Sequence, residues 1–126
     1  MSFTQSRRRA IVLVVEDEPL LRMLAVDFIE DAGFEVVEAE NADLAVAFLE
    51  ARSDIRIVFT DIDMPGSMDG MKLAAAVRDR WPPIEIVIVS GHKRPAVDLP
   101  ERSVFFSKPY DIIAVTTTLQ RMAAVI

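Results

Sequence analysis

Two periodicities alternate along the chain. Short runs rich in β-branched residues fall at Ala10–Val15, Glu35–Glu38, Ile55–Thr60, Ile84–Val89 and Ser103–Phe106, and most are apolar at consecutive positions rather than alternate ones. Strands buried on both faces of a parallel sheet read this way. Helical spacing fills the intervals. In the first, Leu21, Leu24, Ala25, Phe28, Ile29 and Ala32 form one stripe, with Pro19 suited to the opening turn and Gly33 to the C-terminal cap. Asn41 reads as the N-cap of a second helix carrying Ala42, Ala45, Phe48 and Leu49. A third runs from about Asp69, with Leu73, Val77 and Trp81 on one side, until Pro82-Pro83 stops it. The last carries Ile112, Val115, Thr116, Leu119, Met122, Ala123 and Ile126.

This order predicts an α/β fold, a doubly wound five-stranded parallel sheet with helices on both faces and right-handed crossovers. One interval breaks the rhythm. Between Val89 and Ser103, Pro95 and Pro100 leave room for about one helical turn, so the fourth helix is expected to be shortened or missing. Residues 1–9 read as a flexible leader and 10–126 as one domain.

Composition narrows the function. The chain has 126 residues, 52% hydrophobic and 27% charged, an ordinary balance for one globular domain. It has no cysteine and one histidine, which excludes a disulfide framework, a thiolate zinc site, a cysteine nucleophile and a multi-histidine metal site. Twenty acidic residues against 14 basic ones give a net charge of −6, the wrong sign for holding nucleic acid by phosphate neutralisation. No apolar run exceeds the six residues of Ala10–Val15, far short of the roughly 20 residues of a membrane helix. Arg7-Arg8-Arg9 precede it, but Glu16-Asp17-Glu18-Pro19 follow where a signal peptide needs small residues. The expected location is the cytoplasm, with no membrane partner.

In open α/β sheets ligands bind beyond the carboxyl ends of the strands. The first strand delivers Glu16 and Asp17 there, the third Asp61, the fourth Ser90 and the fifth Lys108. Each has a structural explanation when taken alone: the acids as helix-terminus electrostatics, Asp61 and Ser90 as turn openers, Lys108 as a helix start. Together at one sheet edge they form an odd collection for a core. Two carboxylates about 5 Å apart repel by ~3 kcal/mol at an effective dielectric near 20, and one ammonium does not balance three of them. A divalent cation does. Magnesium, or manganese in its place, takes hard oxygen ligands from one or two carboxylates and keeps waters for a phosphate. Such a site suits in-line phosphoryl transfer to a carboxylate.

At these residues the sequence resembles the receiver domain of two-component response regulators, in its stand-alone, chemotaxis-receiver-like form. The resemblance covers about residues 10–124 and rests on Val12–Glu18, Asp61-Ile62-Asp63-Met64-Pro65, Met68-Asp69-Gly70, Val89-Ser90-Gly91 and Phe105–Tyr110. It implies the flavodoxin-like strand order 2-1-3-4-5, for which the chemotaxis receiver is itself a standard example. It also implies that Asp61 accepts a phosphoryl group from a sensor histidine kinase or phosphotransfer protein. Asp17, Asp61 and the backbone carbonyl of Asp63 would ligate Mg²⁺, with Glu16 acting through water. Ser90 would hydrogen-bond one phosphoryl oxygen, Lys108 would neutralise another, and Phe105 would swing inward as the aromatic switch. The peptide before Pro109 would be cis.

Three positions depart from the family pattern. Glu16 replaces the commoner Asp, Gly66-Ser67 adds a residue to the turn after Asp61, and the fourth interval is shortened. Relatives commonly dimerise or bind targets through that helix with the next strand and helix, so a homodimer stays open and the output surface is unusual. With no output segment after residue 126, the signal is expected to leave by contact with a downstream protein target. Asp63, two residues past the acceptor, is expected to alter the phosphate's lifetime by repelling an incoming hydroxide or competing for Mg²⁺. His92 reads as solvent-facing in the loop after Ser90.

Two rivals belong to other classes. Asp61-Ile62-Asp63 imitates the Asp-x-Asp pair of haloacid-dehalogenase-type phosphatases. That family places the pair after its first strand, and Pro65 stands here where it has Thr or Val. An unphosphorylated adaptor with a receiver fold is the other, against which the intact acceptor, lysine and acidic pair argue.

Overall fold

The structure is a computed structural model and describes residues 9–64, 69–91 and 99–124. Five strands, β1 (Ile11–Val15), β2 (Glu35–Ala39), β3 (Ile55–Asp61), β4 (Glu85–Ser90) and β5 (Ser103–Ser107), alternate with helices α1 (Pro19–Asp31), α2 (Ala42–Ala51) and α3 (Gly70–Arg80). Helix α4 (Ile112–Ala124) follows β5. All strand pairs are parallel, in the order β2-β1-β3-β4-β5. Both the fold class and the strand order agree with expectation. Apart from Arg9, Ser90, Gly91 and residues 99–102, the expected leader and the shortened fourth interval lie outside the described residues, as do Gly66-Ser67 and His92.

Local chemistry sets the helix ends. The Asn41 side chain accepts from Leu44 N–H at 2.8 Å and Asp69 from Lys72 N–H at 2.9 Å, each supplying an acceptor to a first-turn donor that the helix leaves unpaired. Helix α1 has Pro19 in its first turn, and the chain leaves it through Gly33 at φ 102°, a conformation that glycine adopts without penalty.

Strand alternation divides the core into two layers. On one face Val12, Val14, Ile57, Phe59, Val87 and Val89 pack against Ala25 and Ile29 of α1 and Val115, Leu119 and Met122 of α4. On the other, Leu13, Val15, Val58, Ile86 and Ile88 pack against Ala42, Ala45 and Leu49 of α2 and Leu73, Ala74 and Val77 of α3. A register shift between Ile11 and Val12 opposite β3 carries Ile55 and Val58 to the same face and leaves Arg56 exposed.

Two helical stripes differ from the expected ones. Only Ala25 and Ile29 of α1 are buried, while Leu21 and Leu24 are 42% and 52% exposed. Helix α1 starts at the C-terminal edge of the sheet, and its first turns have no strand beneath them. In α4 the buried set is Val115, Thr118, Leu119 and Met122, with Ile112 50% exposed. Thr118 rather than Thr116 faces the sheet, and the Thr116 hydroxyl donates back to Ile112 and Ile113 carbonyls instead. No helix among the described residues is long and apolar enough to cross a membrane.

Candidate functional site

At the carboxyl edge of the sheet the chain buries polar groups that a core excludes. Glu16, Asp61 and Ser90 are 5%, 4% and 1% exposed. By strand alternation Glu16 and Asp61 continue the α1/α4 face, after Val14 and Phe59, whereas Ser90 continues the α2/α3 face, after Ile88. Each is held by the main chain of its neighbours. Glu16 N–H donates to Ala39 O at 3.1 Å, Ile62 N–H to Val89 O at 2.9 Å, and Lys108 N–H to Ser90 O at 2.7 Å. The sheet ladder thus runs past the strand ends and fixes the site residues.

Lys108 is the centre of charge. Its Nζ donates to Asp61 Oδ2 at 2.6 Å and lies 3.6 Å from Glu16 Oε1. Asp61 Oδ1 accepts from Asp63 N–H at 3.1 Å, and Glu16 Oε2 accepts from Glu18 N–H at 3.1 Å at the head of α1. Arg22 steadies the first loop from outside, donating to Glu16 O at 3.0 Å and pairing with Glu38 at 3.2 Å. The peptide between Lys108 and Pro109 is cis, as expected.

Burial raises the Glu16 carboxyl to about pKa 7; the Glu18 N–H bond works against this and the Asp61 charge adds to it. Burial also works to lower the Lys108 ammonium, but the hydrogen bond and charge of Asp61, aided by Glu16, outweigh it and hold the group above its ordinary value. Two carboxylates thus face one ammonium in a largely buried cluster.

Two features were not legible at the sequence level. Helix α3 butts against the end of β3: Gly70 N–H donates to Ile62 O at 2.9 Å, and a Cβ on Gly70 would stand 1.9 Å from the Asp61 carbonyl oxygen. Only glycine fits that approach. The second is an aromatic triad of Phe28, Phe59 and Tyr110, packed edge to face with centroids 5.9–6.1 Å apart. It ties α1, β3 and the segment after Lys108 together and floors a cleft of about 600 Å³ that reaches from Leu21 and Leu24 to Glu16 and Lys108. Helical spacing hid Phe28 as a core residue, and nothing in the sequence paired it with Tyr110.

The structure thus brings Glu16, Asp61 and Lys108 together. Asp17 is half-buried at the exit of β1. Ser90 is turned to Asp63, its hydroxyl donating to Asp63 Oδ2 at 3.2 Å. Phe105, opposite Ile88, is partly buried against the α2/α3 layer. Among the described residues no three His, Cys, Asp or Glu side chains group around one ion position. Magnesium does not require such a group, since one or two carboxylates, a carbonyl and waters complete its octahedron. Asp17 and Asp61, at the ends of β1 and β3, carry carboxylates of the kind such an ion takes.

A doubly wound 2-1-3-4-5 sheet with a buried carboxylate–lysine pair at its strand ends defines a protein of the flavodoxin-like receiver class. The family model described as the response regulator receiver domain matches residues 12–120, and the chain belongs to that family. It is 34% identical over 118 residues to the sensor kinase CckA of Brucella abortus (90% of this chain, 12% of the kinase). It is 28% identical over 115 residues to the response regulator receiver protein CpdR of the same organism (88% and 94%). A solved response regulator receiver protein from Sinorhizobium medicae superposes with a TM-score of 0.82 at 27% identity, covering 93% of this chain and 96% of that one. The chain spans only 12% to 25% of the length of larger curated relatives such as the kinase. Receiver domains are signalling phosphoacceptors of two-component systems and meet sensor histidine kinases and downstream targets.

Proposed function

We propose that this receiver takes a phosphoryl group onto Asp61 from a phosphohistidine of a sensor kinase or phosphotransfer protein and signals by protein contact. The observation that carries the reading is the buried Asp61 carboxylate held at 2.6 Å by Lys108 at the carboxyl edge of the sheet. An Asp61 oxygen attacks phosphorus, the N–P bond to the donor imidazole breaks with its electron pair going to nitrogen, and an acyl phosphate forms. Lys108 already sits on the carboxylate and neutralises negative charge there as the phosphoryl group arrives. The Asp63 N–H on Asp61 Oδ1 holds the carboxylate in one orientation. Asp17, Asp61 and the Asp63 carbonyl would hold Mg²⁺ or Mn²⁺, with Glu16 linked through water; the ion supplies charge neutralisation to the transferring group.

Ser90 then supplies a hydroxyl to a phosphoryl oxygen and Phe105 repacks, so that the outer face of β5 carries the signal. The exposed Leu21 and Leu24 beside the cleft, with Leu20 57% exposed, suit docking of the donor protein, because apolar side chains clustered at the site's mouth are an interaction surface. A cytoplasmic setting, no role for nucleic acid at a net charge of −6, and slow self-dephosphorylation complete the reading; a homodimer would be a secondary assembly. The test is incubation with labelled phosphoramidate. Label should enter only with Mg²⁺ present and be released by hydroxylamine, as an acyl phosphate is. Entry in the presence of chelator, or label stable to hydroxylamine, would contradict it.

A further inference from the structure

Asp63 touches two parts of the site by different atoms. Its main-chain N–H donates to Asp61 Oδ1 at 3.1 Å, and its carboxylate Oδ2 accepts from the Ser90 hydroxyl at 3.2 Å. Ser90 is 1% exposed and ends β4 on the α2/α3 face, where Ile88 and Phe105 are register partners. A serine hydroxyl has one proton to donate. While it points at Asp63, that proton is not available to an oxygen on Asp61. Both destinations are charged acceptors, so the exchange is between two bonds of comparable strength, and the acceptor that is removed decides which way it runs.

We propose that the Asp63 carboxylate is a positioning residue that holds the Ser90 hydroxyl away from the acceptor in the unphosphorylated chain, and so sets how readily the site closes on a phosphoryl group. This rests on Asp61 being the phosphoacceptor. It differs from a mere charge effect of Asp63, because it requires the Ser90 hydroxyl.

That distinction gives the experiment, a double-mutant cycle with beryllofluoride and Mg²⁺ as the phosphoryl probe on the full chain. Asp63→Ala should tighten beryllofluoride binding about fivefold to tenfold when Ser90 is present and less than about twofold in a Ser90→Ala background, a coupling of the size expected for contacting polar groups. Asp63→Asn keeps an acceptor oxygen and should fall between. A second readout needs no probe: the Ser90 Cβ carbon resonance of the unliganded chain should move in Asp63→Ala and be largely restored in Asp63→Asn. Equal tightening in both Ser90 backgrounds, or an unmoved Ser90 resonance, overturns the proposal and leaves the receiver reading intact. Failure of the unaltered chain to bind beryllofluoride overturns the receiver reading and this proposal with it.

Discussion

The two ends of the sheet carry clefts of similar size and opposite character. At the amino edge, Arg9, Glu35, Asp54 and Arg56 line about 580 Å³, and the neighbouring Arg52–Asp54 pair, at 3.0 Å, has side chains 35% and 48% exposed. At the carboxyl edge, Lys108–Asp61, at 2.6 Å, has side chains 25% and 6% exposed, with Glu16 at 7% beside it. Both ends therefore have close ion pairs, but only one has taken its carboxylates out of water. An exposed pair gains and loses little, whereas a buried one leaves a large penalty if a partner goes. Charge count alone does not mark a site. Charge that the fold has buried does.

Substitutions at the two ends should separate them sharply. The largest effect is expected from Gly70→Ala. Its Cβ meets the Asp61 backbone, which cannot rotate away, so stability should fall by about 3 kcal/mol or more in denaturant unfolding. Lys108→Met comes next. It strands the buried Asp61 carboxylate and should destabilise by about 2–4 kcal/mol, with most of that recovered when Asp61→Asn is added. If Lys108→Met were no worse than Arg52→Ala, the contrast between the two ends would fail.

A pH series gives a third, smaller contrast. The Glu16 carboxyl is raised from 4.5 to about 7, so between those values the folded chain binds more protons than the unfolded one. Stability from this group is complete below about pH 4.5 and is lost as pH rises through 7. In the presence of a chelator, Glu16→Gln should remove about 1–3 kcal/mol of this decline. The smallest effect belongs to the amino edge: Arg52→Ala should leave the denaturation midpoint almost unmoved, and less moved still at high salt.

Most of the fold was legible because buried parallel strands are written as consecutive β-branched residues, and β1, with all five residues buried, is the plainest case. Boundaries moved by a residue; Asp61 and Ser90 proved to be the last residues of their strands rather than the first of loops. The α1 stripe misled because helical spacing identifies an apolar face and not what covers it. Leu21 and Leu24 keep the period of Ala25 and Ile29 yet face the cleft. In the site, the Asp61, Glu16 and Lys108 meeting followed from strand ends alone. The Ser90–Asp63 bond did not, since it depends on which face of β4 carries residue 90. Gly70 stood in plain view within Met68-Asp69-Gly70, but its reason is a contact with a strand nine residues earlier, which local pattern does not express.

The most direct measurement is intact mass of the chain after incubation with a small phosphodonor and Mg²⁺, beside Asp61→Asn. One phosphoryl group should be added to the unaltered chain and none to the variant. A full phosphoryl adduct on Asp61→Asn, or none on the unaltered chain, would contradict the assignment of this buried carboxylate as the acceptor.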